Sequence, residues 1–276
     1  MLNRVYVEIT NICNLRCSFC PGTRREKRMM SAAEFEYISD CLRGHTKFVY
    51  MHVMGEPLLN PALCEMLRAA QRRCLRAVVT TNGTLLRERG AEMLGCQALH
   101  RVNISLQSFE GSGACGGPAD YLSSCAEFAQ RASHGGVLCS LRLWNGGGAD
   151  SQNGEILKLL HAHFPGQWRR CDKNVMLAPG VFLEEADEFE WPDMDAPDGG
   201  NHVFCHGVRR QLGILCDGTV TPCCLDHEGD VALGNIFTDG LEDILASPRA
   251  AAMRRGFEQR RASEELCRRC GYARRF

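Results

Sequence analysis

Short apolar runs of β type alternate with amphipathic stretches through the first two thirds of the chain, and this alternation constrains the fold more than any other feature. Strands are predicted near Val5–Ile9, Phe48–Met54, Ala77–Thr81, Arg101–Gln107, Val137–Trp144 and Val175–Leu183. Between them the pattern predicts helices near Pro61–Arg73, Glu88–Leu94, Ala119–Ala132 and Asn153–His163. Ser31 followed three residues later by Glu34 is a capping box that opens another helix, running to about Leu42. Parallel strands need crossovers long enough to hold a helix, so the reading is an α/β fold: a partial (β/α)6 TIM-like barrel over residues 1–183, open along one side. Chemistry in such barrels sits at the C-terminal ends of the strands. Residues 184–204 are acidic, carry two prolines and lack periodicity, as a linker or flap does. Residues 205–276 read as a small cysteine-rich module, in which Asp217-Gly218 is a hairpin turn between Gln211–Cys216 and Thr219–Cys223.

The sequence holds 17 cysteines among 276 residues. No basic region followed by an apolar run stands near Met1, and no stretch reaches the roughly 18 apolar residues that cross a bilayer, so a cytoplasmic protein without a membrane partner is expected. Thiols stay reduced there, which makes metal ligation the leading reading for clustered cysteines. Cys41, Cys64, Cys74, Cys96, Cys125 and Cys139 lie singly in apolar patterns and read as small buried hydrophobes, while Cys115 and Cys171 are unassigned. With 32 basic and 33 acidic residues, bulk charge offers no polyanion a partner, so nucleic acid is not expected.

Cys13-x3-Cys17-x2-Cys20 follows the first predicted strand and supplies three thiolates, one fewer than a fully ligated [4Fe–4S] cluster needs. An open iron is what a catalytic cluster requires. The spacing, the aromatic Phe19 before the third cysteine and the place after strand one resemble the radical S-adenosylmethionine (SAM) superfamily. The resemblance implies an enzyme whose open iron binds SAM and whose reduced cluster cleaves it to a 5′-deoxyadenosyl radical, with flavodoxin or ferredoxin as electron donor. Met54-Gly55-Glu56-Pro57 resembles the family's Gly-Gly-Glu-Pro element, with Met54 in place of the first glycine, and Thr81-Asn82-Gly83 resembles its Thr-Asn-Gly turn. By the same resemblance Arg142 and Asn145 are ribose and carboxylate contacts. Ser105 and Gln107 alternate with Asn103 on one strand face and are candidates for contacting SAM or substrate.

Cys205-x12-Gly218-x4-Cys223 with Cys267-x2-Cys270 is a second constellation, similar to the shortened SPASM module called a twitch domain. The similarity implies one auxiliary [4Fe–4S] cluster on Cys205, Cys223, Cys267 and Cys270; four closed thiolates also suit zinc, and Cys216 or Cys224 can replace a neighbour. Function then reads as hydrogen abstraction from a small polar metabolite of sugar, nucleoside or nucleotide type, by a lyase or oxidoreductase course, with a queuosine-salvage (queuine) lyase as one case. The alternatives are a peptide or protein maturase of the SPASM type and a non-catalytic iron–sulfur redox or metal-binding protein. The basic run Thr23–Arg28 offers cations to an anionic substrate, or is a solvated loop; His52, His202 and His206 read first as structural.

Overall fold

The computed structural model describes residues 1–109, 118–172 and 174–275, so Cys115 lies outside the described residues. The chain runs β1 (Arg4–Val7), α1 (Ala32–Cys41), β2 (Phe48–Tyr50), α2 (Leu63–Arg72), β3 (Arg76–Thr81), α3 (Leu86–Leu94), β4 (Leu99–Ser105), α4 (Pro118–His134), β5 (Leu138–Gly146) and α5 (Asn153–His163). There follow β6 (Arg169–Cys171), β7 (Asn174–Ala178), β8 (Val181–Asp187), β9 (Gln211–Ile214), β10 (Thr219–Thr221), β11 (Gly234–Asn235), α6 (Leu241–Ala246), α7 (Pro248–Glu258) and α8 (Glu265–Arg268). All strands lie in one sheet of order β11-β10-β9-β1-β2-β3-β4-β5-β8-β7-β6, whose stretch from β9 to β8 is parallel throughout. This is the α/β, partial-barrel architecture expected.

The α1 helix opens as the capping box dictates: Ser31 Oγ accepts from the Glu34 amide and Glu34 Oε2 accepts from the Ser31 amide at 2.8 Å. Strand alternation sorts side chains by face. Val5, Val7, Val49, Val79, Val102, Ile104 and Leu141 are buried in one core with Phe35, Ile38, Met66, Leu67 and Phe128 of the helices. The other face carries Tyr6, Tyr50, Arg101, Asn103, Ser105, Arg142 and Trp144, all of which line an interior cavity.

Three expectations are corrected. Residues 175–183 are not one strand: Pro179, which has no amide N–H, and Gly180 at φ +76° turn the chain between antiparallel β7 and β8, and only β8 continues the parallel set. β8 also runs on to Asp187, because Glu184 is drawn inward by Arg142 at 2.9 Å, so the stretch given to a linker begins as strand. Cys74 is exposed, not buried. It takes φ +57° at the end of α2, where its amide donates to Gln71 O and that of Leu75 to Ala70 O, the helix-terminating pattern that usually holds glycine. Of the other single cysteines, Cys64, Cys96, Cys125 and Cys139 are buried and Cys41 is half-buried.

The cysteine-rich segment enters the same sheet. β9 pairs in parallel with β1, Val5 opposite Leu212, and turns through Asp217-Gly218 into antiparallel β10. The Asp217 carboxylate accepts from the Thr219 amide at 3.0 Å and fixes that turn. Beyond the Leu241–Ala246 helix, α7 begins at Pro248 behind an Ser247 cap, a start signal that the sequence reading passed over.

Candidate functional site

The loop after β1 carries Cys13, Cys17 and Cys20, and neighbouring strand ends pin it from three sides. Asn11 donates to Glu26 O at 2.8 Å and accepts from the Arg28 amide at 2.8 Å. Asn14 accepts from Asn82 Nδ2 at 2.9 Å and donates to Thr84 Oγ1 at 2.9 Å. The Glu56 amide donates to Ile12 O at 2.9 Å. At Gly55 the backbone takes φ +77°, and a Cβ there would press on the Thr10 carbonyl oxygen and lie 2.9 Å from that of Ile12; only glycine lets the two loops approach this closely.

Glu56 is buried and its carboxylate is fully used within the protein. It accepts from Thr81 Oγ1 at 2.8 Å, the Leu58 amide at 3.0 Å and the Asn82 amide at 2.7 Å. Burial nonetheless raises its pKa to about 7 against these donors. The residue ties the β2 end to the β3 end and lines the cavity together with Met54, Gly55 and Asn82.

One cavity of about 1030 Å³ occupies the barrel interior, and both cysteine sets lie on its wall: Cys13, Cys17 and Cys20, then Cys205, Cys223 and Cys270. Phe19, Ser105, Gln107 and Arg142 line it too. Gln107 does so from a 3₁₀ turn over Leu106–Phe109, because β4 ends at Ser105; this corrects the expectation of a third alternating strand position. Asn145 departs from expectation. Its amide donates to Ala149 O at 2.6 Å and exchanges bonds with Asn153 at 3.0 and 3.1 Å, which fastens the β5 end to α5 and leaves it off the cavity wall.

Four buried polar atoms on this wall have no partner among the described residues: His52 Nδ1, Arg101 Nε, Asn103 Oδ1 and Gln107 Oε1. Buried polar groups are ordinarily satisfied, so the cluster is the signature of a polar ligand site. His52 was read as structural; its ring meets Tyr6 edge-on at 5.4 Å, and burial, then the charge of Arg142, depress its pKa to about 3, so it presents a neutral imidazole. Sequence offered no signal for this beyond its place two residues after Tyr50 on the alternating face.

The donor set fits a [4Fe–4S] cluster with one open iron at Cys13, Cys17 and Cys20. Cys13 Sγ accepts from the Leu15 amide at 3.4 Å and faces Asn82 Nδ2 at 3.8 Å, the N–H···S contacts that tune cluster thiolates. Burial pushes the Cys17 thiol up to about 11. Among the described residues no three Cys, His, Asp or Glu side chains gather at the spacing of a single ion.

Cys205, Cys223, Cys267 and Cys270 form the second set. Burial raises the thiols of Cys223 and Cys267, and Cys205 raises both further, as neighbours do. Cys205 Sγ accepts from the Gly207 amide at 3.2 Å. Cys216 is committed elsewhere, donating to Glu8 O at 2.9 Å, whereas Cys224 lines the cavity beside Tyr6. The basic loop is partly solvated, with Arg24, Glu26 and Lys27 exposed, and partly tied down. Arg25 binds buried Glu8 at 2.7 and 2.8 Å, Arg28 pairs with Glu34 and the Cys216 carbonyl, and Arg24 and Lys27 reach the cavity. His202 is exposed and bridges to Arg261, while His206 lines the cavity.

Residues 7–121 match the profile of the radical SAM superfamily, and residues 205–271 match that of an iron–sulfur cluster-binding domain, SPASM. A probable GTP 3′,8-cyclase of Methanocaldococcus jannaschii is 34% identical over 106 residues, 37% of this chain and 35% of that protein. The match thus spans about a third of that curated relative. Among solved structures, BtrN in complex with AdoMet and 2-DOIA aligns with TM-score 0.64 at 16% identity, covering 98% of this chain and 93% of that one. SuiB of Streptococcus suis bound to S-adenosylmethionine aligns with TM-score 0.65 at 16% identity, covering 92% and 68%. The three-thiol loop at the C-terminal end of β1, the partial barrel and the four-thiol C-terminal set, with both profile matches, lead to one assignment: the chain carries a radical SAM domain over residues 7–121 and a SPASM-type iron–sulfur domain over residues 205–271.

Proposed function

We propose that this enzyme uses a 5′-deoxyadenosyl radical to abstract hydrogen from a small polar metabolite held inside its barrel. The observation that carries the reading is one cavity whose wall holds thiols of both sets and four polar atoms unpartnered among the described residues. Its volume is of the order that takes SAM and one small substrate together, since single-ligand pockets run to about 300–1000 Å³. Cys13, Cys17 and Cys20 would hold the SAM-binding cluster, and Cys205, Cys223, Cys267 and Cys270 the auxiliary one. When bound, the first cluster supplies the electron that cleaves SAM to methionine and the radical.

The chain's own residues do the rest. Met54 and Gly55 offer backbone, and Asn82, Ser105 and Gln107 side-chain groups, to SAM from strand ends that Glu56 fixes in place. Phe19 shields the loop, its carbonyl held by Trp191 Nε1 at 3.1 Å. The neutral His52 and the Asn103 and Gln107 amides suit a substrate rich in hydroxyl or amide groups. Cys224 lines the same cavity beside Tyr6.

BtrN was solved with the small molecule 2-DOIA and SuiB with a precursor peptide, so the fold accommodates either class. The unpartnered polar atoms on the cavity wall favour the metabolite, and the relatives' names do not single out a queuine lyase. The test is deoxyadenosine formation by reconstituted enzyme with SAM and dithionite, with pooled sugars, nucleosides and nucleotides set against pooled peptides. Stimulation by the metabolite pool alone supports the reading; stimulation by peptides alone transfers the enzyme to the maturase class.

A further inference from the structure

We propose that the barrel interior contains an anion site, so that the substrate of the reaction proposed above is an anionic metabolite bearing a phosphate or carboxylate. The inference rests on that reading and adds the chemical class.

The argument begins with a charge imbalance. Glu184 faces two guanidiniums: Arg142 Nε at 2.9 Å and Arg101 Nη2 at 3.8 Å. One carboxylate between two cations leaves a net positive charge, and Arg101 Nε is buried with no acceptor. Arg4 adds another cation, in no ion pair among the described residues, with its guanidinium 5.5 Å over the Tyr50 ring. All three arginines line the cavity. Sequestering cations without counter-ions is costly, so such a set is retained where an anion completes it.

Orientation agrees. Arg142 lies 4.4 Å over the Trp144 ring, which keeps its planar group in one attitude, and Arg101 lies over Phe182 at 5.9 Å. Held flat by aromatic faces, a guanidinium presents the fork that grips phosphate or carboxylate in two bonds. Strand register separates Arg101 from the first thiol set, while Arg142, opposite Ser105, lies nearer the strand ends. Arg101 is level with Val78 and hence Tyr50 and Tyr6, within the strands, whereas Cys13, Cys17 and Cys20 follow the β1 end. An anion held there would direct the remainder of a small substrate toward the SAM end.

The test is calorimetry on anaerobic, SAM-loaded holoenzyme titrated with inorganic phosphate or acetate at ionic strength fixed by chloride. One anion is expected to bind saturably at one site, and the tighter of the two assigns phosphate or carboxylate. Arg101→Gln is expected to weaken binding about tenfold, and Glu184→Gln to tighten it by releasing both guanidiniums. Arg101→Lys, which keeps charge but loses the fork, should fall between wild type and Arg101→Gln and serves if Glu184→Gln fails to fold. Absence of saturable binding, or binding indifferent to both arginine variants, overturns the proposal, as does competition between phosphate and SAM, which would place the anion in the SAM site. Deoxyadenosine formed by the same preparation reports radical chemistry separately, so failure of the anion site and failure of the enzyme reading are told apart.

Discussion

Gly55→Ala tests how the loop that bears the first thiol set is held. At φ +77° an alanine pays about 1–2 kcal/mol for the left-handed backbone. Its Cβ would also press on the carbonyl of Thr10 and lie 2.9 Å from that of Ile12, both backbone atoms that no rotamer change can clear. Forced overpacking of this kind costs about 1–3 kcal/mol. A combined loss near 3 kcal/mol lowers Tm by about 6–12 °C in a chain of this size. Gly136→Ala is the control: φ is again +77°, yet nothing lies within 4 Å of its Cβ, so only the backbone cost of about 1 kcal/mol applies. Because the Thr10–Ile12 segment leads directly into Cys13, the strain should also cost iron, taking reconstituted protein from about eight irons per chain to about four. Differential scanning fluorimetry and iron assay read both effects. Gly55→Ala with a Tm within 2 °C of Gly136→Ala, in roughly that margin of error, and full iron would refute the loop-contact argument.

Three further outcomes are expected. Burial holds the Glu56 pKa at about 7, above its ordinary 4.5, so the stability it contributes is complete below about pH 4.5 and is lost as pH rises through 7, about 3 kcal/mol in all. The urea midpoint should therefore fall from about pH 5 to 8, and Glu56→Gln should flatten that slope; an unchanged slope contradicts it. Asn82→Ala removes the amide facing Cys13 Sγ and the bond to Asn14, and should weaken iron retention at the first site about 10- to 100-fold in a chelator challenge. Cys267→Ala should halve bound iron and leave SAM cleavage measurable, whereas Cys216→Ala, whose thiol bonds to Glu8 O, should leave iron content unchanged.

Local signals were legible because their physics is local. The Ser31 capping box, the Asp217-Gly218 turn and the thiol spacings each act over a few residues, and the parallel β/α order followed from hydrophobic period alone. What stayed hidden was pairing at long range. Glu8 and Arg25 meet across 17 positions, and Glu8 also accepts from the Met54 and Cys216 amides, so a buried carboxylate anchors the basic loop, the β2 end and the β9 end together. No sequence rule links Glu184 to Arg101 and Arg142. Gln107 was assigned to the site through strand alternation and arrives there through a turn, while Asn145 sits at the right strand end and bonds away from the cavity. The β7–β8 hairpin was missed because Pro179-Gly180 interrupts an apolar run that otherwise reads as one strand.

Iron and sulfide content with deoxyadenosine formation, measured on anaerobically reconstituted protein given SAM and dithionite, tests the central claim most directly. About eight irons and sulfides per chain with SAM-dependent deoxyadenosine is the expected result, two [4Fe–4S] clusters with one able to open SAM. A chain fully loaded with iron that forms no deoxyadenosine, or one that holds zinc at the first thiol set, would contradict it.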